Sequence, residues 1–454
     1  MRGTGSSGFA RASLIAAGAV VAVAVVVFWL LARQHRPEPV EPRPRAVIVG
    51  IDGLDWDMAQ TARAAGTMPH LDRMMREGAS GVLRSIPPFI SPSIWTTIAT
   101  GKREEKHGVR GFLVDRGRTI DSTPTSSNMR RVKALWQIAT DQGLSVGFIG
   151  WLVTWPAERV NGYMVSSNLV QLLESSEAPG GTAAAERLSS ATYPPELAGA
   201  LRDLRVRPED VPRERVSWLL GTPDPGPDAS VADGLLQLAR IRASDATTLR
   251  FASHLMRSVP TDLSAAYFRG VDLTGHLFWR YHEPDEWPGE LSRGAVDALG
   301  TVVNRYYAVA DSLIGAMVEL AGDDAVVIVC SDHGFGGHGT RPELPGDPPV
   351  GMEMHRPEGV IAMAGPGIRK GVTLEGAGVL DVAPTVLALL GLPVGRDMDG
   401  LVLTEAISAR ALKERPVAFV ETHEGVGSRG DSEPVASPVD DEIKEMLRSL
   451  GYIQ

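Results

Sequence analysis

The chain reads as an α/β protein, a mostly parallel sheet with helices on both faces, and three observations predict this. Apolar runs of strand length alternate with helical patterns from residue 46 to residue 454, as in sheets built from strand–helix–strand units. The total length exceeds what one compact core usually fills, so an insertion or a second domain is expected. Several apolar runs end in a carboxylate or an Asp-His pair, at the sheet rim where open α/β folds place ligands and chemistry.

The N-terminus comes first. Residues 1–11 form a short tail, and Ala12 to Ala32 carry no charge for 21 residues. At 1.5 Å per residue that is roughly 30 Å, enough to cross a bilayer core. Phe28 and Trp29 stand near one end, where aromatic belts lie. A cleaved signal peptide has a shorter apolar core, and Leu31-Ala32-Arg33-Gln34 lacks the small-residue cleavage pattern. An uncleaved transmembrane anchor is therefore expected. Arg2 and Arg11 precede it; Arg33, Arg36, Arg43 and Arg45 follow it. Counted literally, this bias holds the remainder in the cytoplasm. An N-terminal anchor also tethers exported hydrolases, and the expectation adopted is an extracytoplasmic (periplasmic) domain. Cys330 is the sole cysteine, so no internal disulfide forms and the compartment is not decided by thiols.

Residues 33–45 form a Pro-rich charged spacer. The folded domain is expected over 46–454, with an insertion at about 168–262. Predicted strands are Ala46 to Ile51, Gly81 to Ile86, Ser145 to Gly150, Leu263 to Phe268, Ala325 to Cys330, Val360 to Ala364 and Val417 to Val420. Predicted helices include Met68 to Glu77, Arg131 to Asp141, Ala295 to Leu320 and Asp381 to Leu390, with a short amphipathic helix over Asp440 to Leu450. The insertion holds Gly/Ala/Ser/Pro-rich stretches at Ser175 to Ala185 and Thr222 to Ala229; it is either a cap over the site or a surface decoration. The net charge of −10 argues against a nucleic-acid-binding surface.

Four clusters carry the chemistry. Val49-Gly50-Ile51-Asp52-Gly53 is a strand ending in a carboxylate. Asp272 and His276 follow the run Leu263 to Phe268, and being four apart they share a face in helical geometry. Ser331-Asp332-His333-Gly334 follows Ala325 to Cys330. His355 precedes Val360 to Ala364. Three Asp and three His without thiolate suit a partly open zinc site, or manganese or iron. Each residue also has a plainer role: Asp52 and Asp332 would cap turns, and His276 would be a satisfied core histidine. His338 competes with His355 for the last ligand position.

The nucleophile is sought in Pro87-Pro88-Phe89-Ile90-Ser91-Pro92-Ser93-Ile94-Trp95-Thr96-Thr97. Ser91 stands before a helix whose N-terminus favours anions, and Pro92 fits the first turn. A serine there is also an ordinary N-cap. Ser93, Thr96 and Thr97 are rival hydroxyls, and position alone does not choose among them.

These residues, in this order, resemble the alkaline phosphatase superfamily, in particular its type I phosphodiesterase/nucleotide pyrophosphatase group and bacterial phosphohydrolase/phosphomutase branch. Gly-Ile-Asp-Gly at 50–53, the hydroxyl ten residues before Gly101, Lys106-His107-Gly108, Asp272-x-x-x-His276, Ser331 to Gly334 and His355 carry the likeness. Trp155 to Gly162, His355 to Gly359, Gly365 to Ile368 and Leu450-Gly451-Tyr452-Ile453 add to it. The resemblance implies an alkaline-phosphatase-like sheet and two divalent ions, zinc or manganese. It implies that Asp272, His276 and His355 hold one ion, and that Asp52, Asp332, His333 and Ser91 hold the other. The ten-residue spacing to Gly101 singles out Ser91 as the nucleophile, passing through a phosphoserine. His107 is expected to support the following loop.

Two departures bear on the substrate. Nucleotide pyrophosphatases carry an Asn after the His-Gly segment, where Phe112 stands in this chain, so either Lys102 or Arg110 binds the phosphoryl group instead or the substrate is not a nucleotide diester. The sulfatase pattern would need Pro and Arg where Ser93 and Trp95 stand. The expected activity is phosphoester hydrolysis of a small molecule or lipid headgroup, as diester or monoester. A phosphotransferase or mutase on the same residues is the alternative, and a membrane-tethered pseudoenzyme a further one. Oligomeric state is not legible.

Overall fold

The computed structural model describes residues 44–114, 123–175, 188–222, 228–287, 289, 291–337, 354–425, 432–450 and 452. The charge-free segment 12–32 and His338 lie outside these residues. No helix among the described residues is long and apolar enough to cross a membrane.

The strands that build the site are β1 (Arg45–Ile51), β2 (Ala79–Arg84), β3 (Val146–Ile149), β4 (Gly162–Val165), β5 (Thr192–Tyr193), β6 (Leu263–Phe268), β7 (Ala325–Cys330), β8 (Gly334–Phe335), β9 (His355–Arg356), β10 (Glu358–Ala364) and β11 (Val372–Leu374). Nine of them form one sheet in the order β11-β2-β10-β7-β1-β6-β3-β4-β5. The centre is parallel: β1 pairs with β6 and β7, and β3 pairs with β6 and β4. Strand β10 runs antiparallel to both β7 and β2, and β5 antiparallel to β4.

The register decides where the chemistry falls. Ile51 stands opposite Phe268, and Gly50 opposite Cys330. The carboxyl ends of β1, β6 and β7 therefore finish abreast, and the residues after them share one rim. Because β10 is antiparallel, its beginning meets the end of β7, with Ile361 opposite Cys330. A histidine that precedes a strand thus reaches the same rim as residues that follow strands.

The helices that frame the core and the site are α1 (Trp56–Ala64), α2 (Pro69–Glu77), α3 (Ser91–Thr100), α4 (Leu135–Asp141), α5 (Ala229–Ser258), α6 (Gly270–His282), α7 (Arg293–Leu299), α8 (Val302–Ala321), α9 (Val382–Leu389) and α10 (Asp440–Ser449). Val47, Val49 and Ile51 of β1 join one core with Met74, Phe251 and Val303, while Ala46 and Ile48 join the other with Trp95, Trp136 and Val386. The period-two alternation of a strand thus feeds two apolar layers, which is why the run shows no polar face. Within the 168–262 segment, α5 lies across β6 and β3 beside α6 and α8.

Several sequence expectations shift. The strand expected at 81–86 begins at Ala79, and the helix expected from Arg131 begins at Leu135. The helix expected over 295–320 is two helices, α7 and α8, parted at Gly300 and Thr301. The strand expected over 417–420 shortens to Phe419–Val420, which pairs with Val394–Gly395 outside the main sheet.

Candidate active site

Two glycines let the site assemble. A Cβ on Gly50 would lie 2.8 Å from the Trp95 ring, so its absence lets α3 settle against the end of β1. Trp95 is fully buried and meets Trp151 and Tyr267 edge-on, with centroids 4.9 and 5.1 Å away, contacts that add to area burial. Gly53 has φ +67°, and a Cβ there would sit 3.0 Å from the Asp272 Cα. The turn after Asp52 can therefore press against the start of α6.

Helix α3 presents Ser91 at its first turn. The N-cap is Ile90, and no side chain caps the helix, so Ser91 does not act as an N-cap. Its buried Oγ lies 3.3 Å from His333 Nε2. The rival hydroxyls are engaged elsewhere. Ser93 Oγ meets Glu104 at 3.4 Å, Thr96 Oγ1 donates to the Pro92 carbonyl at 2.7 Å, and Thr97 Oγ1 lies 3.1 Å from His107 Nε2.

The structure brings all six expected Asp and His together, each buried or nearly so. His276 Nε2 lies 2.9 Å from His355 Nε2 and 3.3 Å from Asp272 Oδ1. His355 Nε2 is 3.5 Å from the same oxygen. His333 Nε2 lies 3.5 Å from Asp52 Oδ1 and 3.4 Å from Asp332 Oδ2. The imidazoles of His333 and His355 stack with centroids 3.8 Å apart. Ligand atoms of Asp52, Asp332 and His333 fall within 4.8 Å of one another, as do those of Asp272, His333 and His355.

The carboxylates share a pattern. Asp52 accepts the Tyr267 hydroxyl on Oδ2, Asp272 accepts the Tyr452 hydroxyl on Oδ2 at 2.9 Å, and Asp332 accepts the Gly53 amide on Oδ1 at 3.3 Å. The other oxygen of each is buried with no hydrogen-bond donor, and each of these lies near the imidazole cluster. Buried acceptors left this way are costly unless a cation meets them. The histidines are oriented as ligands: His355 Nδ1 lies 2.9 Å from the Phe89 carbonyl and His333 Nδ1 3.0 Å from the Gly334 carbonyl. A proton on each Nδ1 leaves Nε2 free to bind. The donor set fits divalent cations.

The electrostatics agree. Burial, then the nearby Asp332 and Asp272 charges, raises Asp52 well above the ordinary carboxyl range. Asp332 is pushed up to about 7, chiefly by burial. Burial also opposes ionisation of Asp272, yet His276 and His355 hold its carboxyl well below that range. Burial and His355 lower His333, and burial lowers His276. Crowded carboxylates beside His276 and His333, whose protonation burial disfavours, are what a bound cation would relieve.

Ser331 supports the rim: its Oγ accepts the Leu54 amide at 2.9 Å and donates to the His333 carbonyl at 2.7 Å. Asp55 caps α1 through Met58 and also accepts the Phe335 amide, tying β8 to the β1 turn. Pairing of β8 with β9 sets Phe335 opposite His355. His107, whose pKa burial lowers to about 3, accepts the Val109 amide on Nδ1 and supports the loop after α3.

The expected phosphoryl-binding role of Lys102 is not met. Lys102 stands past the far end of α3, a helix of ten residues, about 15 Å along its axis from Ser91. Its buried ammonium pairs with Asp397 at 2.7 Å and Glu424 at 3.1 Å. Arg110 is exposed. Phe112 packs on the Tyr452 ring, centroids 4.7 Å apart. Tyr267 and Tyr452 were missed from sequence. A tyrosine in the otherwise fully buried apolar run 263–268 was the available signal, because a buried phenol needs a partner.

Comparison with known proteins follows the same lines. No curated protein matches the chain. Among solved structures, a 2-O GAG sulfatase is similar at 13% identity over 85% of this chain and 77% of its own, with TM-score 0.49. Human ectonucleotide pyrophosphatase / phosphodiesterase 5 shows 14% identity over 82% and 99%, TM-score 0.45. A phosphonoacetate hydrolase from Sinorhizobium meliloti 1021 shows 19% over 65% and 57%, TM-score 0.39. The family model for type I phosphodiesterase / nucleotide pyrophosphatase matches residues 46–345, the stretch that supplies five of the six clustered Asp and His and Ser91. With that match, the chain belongs to the type I phosphodiesterase / nucleotide pyrophosphatase family of hydrolases.

Proposed function

We propose that this protein is a two-metal phosphoester hydrolase that works through a phosphoserine on Ser91. The observation that carries the reading is the set of three buried carboxylates, each with one oxygen held by a protein donor and the other free beside three imidazoles and the Ser91 hydroxyl. In this reading Asp272, His276 and His355 hold one divalent ion, and Asp52, Asp332, His333 and Ser91 hold the second. Zinc suits the N/O donor set, with manganese as the alternative. Two such ions would supply positive charge for the developing oxyanions and acidify coordinated hydroxyls.

The residues themselves perform the rest. Helix α3 aims Ser91 Oγ at phosphorus, and its N-terminal amides favour the phosphoryl charge. The Oγ–P bond forms as the ester P–O bond breaks, and the serine proton ends on the departing alcohol. Water then cleaves Oγ–P, and a proton returns to Ser91. Burial of the cluster excludes bulk solvent, so the carboxylates and imidazoles act in a low dielectric.

The substrate is proposed to be a small phosphoester or a lipid headgroup. Phe112 places a ring where nucleotide pyrophosphatases carry an amide donor, which disfavours nucleotide diesters. The charge-free segment 12–32 and the Pro-rich spacer support a catalytic domain of residues 46–454 tethered to a membrane on its extracytoplasmic side. The test is chelator-stripped protein assayed on generic phosphomonoesters and diesters with zinc or manganese restored. Metal-restored release of alcohol is expected, with inorganic phosphate as the other product from monoesters and a phosphomonoester from diesters. Full activity in the stripped protein would overturn the proposal, and retained transfer of phosphoryl to added alcohol would indicate a phosphotransferase.

A further inference from the structure

We propose that the C-terminal tail completes the first metal site, with Tyr452 as the positioning residue that holds Asp272 for its cation. The inference rests on the two-metal reading and assigns a role to the one terminal motif that the reading leaves idle.

The tail is docked, not loose. Val439, Leu447, Leu450 and Tyr452 are buried and belong to the same core as β1 and α6. The Tyr452 amide donates to the Leu447 carbonyl at 2.9 Å, folding the chain back over the end of α10. Upstream, the Val435 amide donates to Ser126 Oγ at 2.9 Å, strapping the tail to the 123–128 loop. This path delivers a phenol from the far end of the sequence into the cluster.

The hydroxyl of Tyr452 lies 2.9 Å from Asp272 Oδ2 and 2.7 Å from His276 Nε2. It has one proton and two acceptors. When a cation takes the His276 Nε2 lone pair, Asp272 Oδ2 is the acceptor that remains. That bond fixes the carboxylate plane and leaves Oδ1, which has no donor, turned toward His276 and His355. A phenol carries its proton at neutral pH, so Tyr452 donates. Phe112 and His276 pack on the ring, with centroids 4.7 Å away on each contact. Phe112 is thus a buttress for the tyrosine.

A second tyrosine makes the assignment selective. Tyr267 holds Oδ2 of Asp52, a ligand of the other site, in the same way. Each proposed cation therefore has its own phenol, one supplied by the sheet and one by the tail. Outer partners that orient a ligating carboxylate typically change metal affinity 10- to 100-fold when removed. Coupling is reciprocal, so occupancy of the Asp272 site also holds the tail down.

The experiment is zinc titration by calorimetry of the chelator-stripped full chain, alongside Tyr452→Phe and Tyr267→Phe. The Asp332→Asn background isolates the Asp272 site. Wild type should bind two ions. Tyr452→Phe keeps the ring and should lose about 10- to 100-fold in affinity at the site left in the Asp332→Asn background, while the metal-free protein stays folded. Tyr267→Phe should leave that site alone and weaken the other. Zinc should also slow carboxypeptidase removal of Tyr452 in wild type. Fewer than two ions in wild type would sink the two-metal reading itself. Two ions in wild type with unchanged affinity in Tyr452→Phe would overturn this inference, as would equal weakening of both sites with a lowered metal-free melting temperature.

Discussion

His355 Nδ1 lies 2.9 Å from the carbonyl of Phe89, a residue held at φ +53° two positions before Ser91. Non-glycine residues adopt that conformation only where surroundings over-determine it. The loop that presents Ser91 thereby also sets the tautomer of a clustered histidine. Motion of one would be felt by the other.

This relationship predicts a separation of roles. In His355→Asn the amide nitrogen can keep the bond to the Phe89 carbonyl, but nothing replaces Nε2. The variant should fold with a melting temperature near wild type, bind one divalent ion fewer, and lose at least about 100-fold in kcat. Metal analysis and calorimetry check this; a full complement of ions would place the ligand elsewhere.

Lys102 is expected to matter for stability, not catalysis. Its ammonium is 3% exposed between Asp397 and Glu424. Lys102→Ala leaves two carboxylates facing each other without it and should cost roughly 2–4 kcal/mol. The folded fraction should keep its KM and kcat. A raised KM with unchanged melting would restore the phosphate-binding role.

Asp245 gives a pH signature remote from the cluster. Burial pushes its carboxyl up to about 6, although the Tyr306 hydroxyl, 2.9 Å away, opposes the rise. The folded state thus holds a proton that the unfolded state releases near the ordinary value of 3.8. The resulting stability is present below that value and is lost as pH rises through about 6. Asp245→Asn removes this dependence. Relative to wild type, the variant should gain roughly 3 kcal/mol between pH 3.5 and pH 7. Chemical denaturation at the two pH values checks it; a constant difference would contradict the buried, protonated assignment.

The proposed anchor is tested by deletion of residues 1–45. The clustered ligands and Ser91 all lie beyond it, so a soluble, active domain is expected. Loss of folding would mean that the anchor belongs to the core, and reporter fusions after Gln454 decide which side of the membrane the domain occupies.

Much of the rim was legible because buried apolar runs announce themselves by ending in polar residues. Asp52, Asp272, Asp332 and His333 follow strands that the hydrophobic pattern locates well, two of them to the residue. His355 was harder. It precedes its strand, and only the antiparallel direction of β10, set by pairing with β7 and β2, turns it toward the same edge. Periodicity carries no information about strand direction. Tyr267 is 215 residues from Asp52, and no local spacing encodes that contact. Lys102 misled because proximity in sequence to Ser91 hides a helix of ten residues between them. Ser91 itself could be ranked by motif, but the separation from Ser93, Thr96 and Thr97 comes from which hydroxyl faces His333.

In the proposed reaction Ser91 attacks phosphorus beside the cations held by its neighbours. Its most direct test is a brief incubation with a phosphorus-labelled phosphomonoester, an acid quench and peptide mapping, in wild type and in Ser91→Ala. Label is expected on the peptide that contains Ser91, together with an inactive Ser91→Ala that retains its metal because Asp52, Asp332 and His333 remain. Label on Ser93, Thr96 or Thr97, or full turnover by Ser91→Ala, would contradict it.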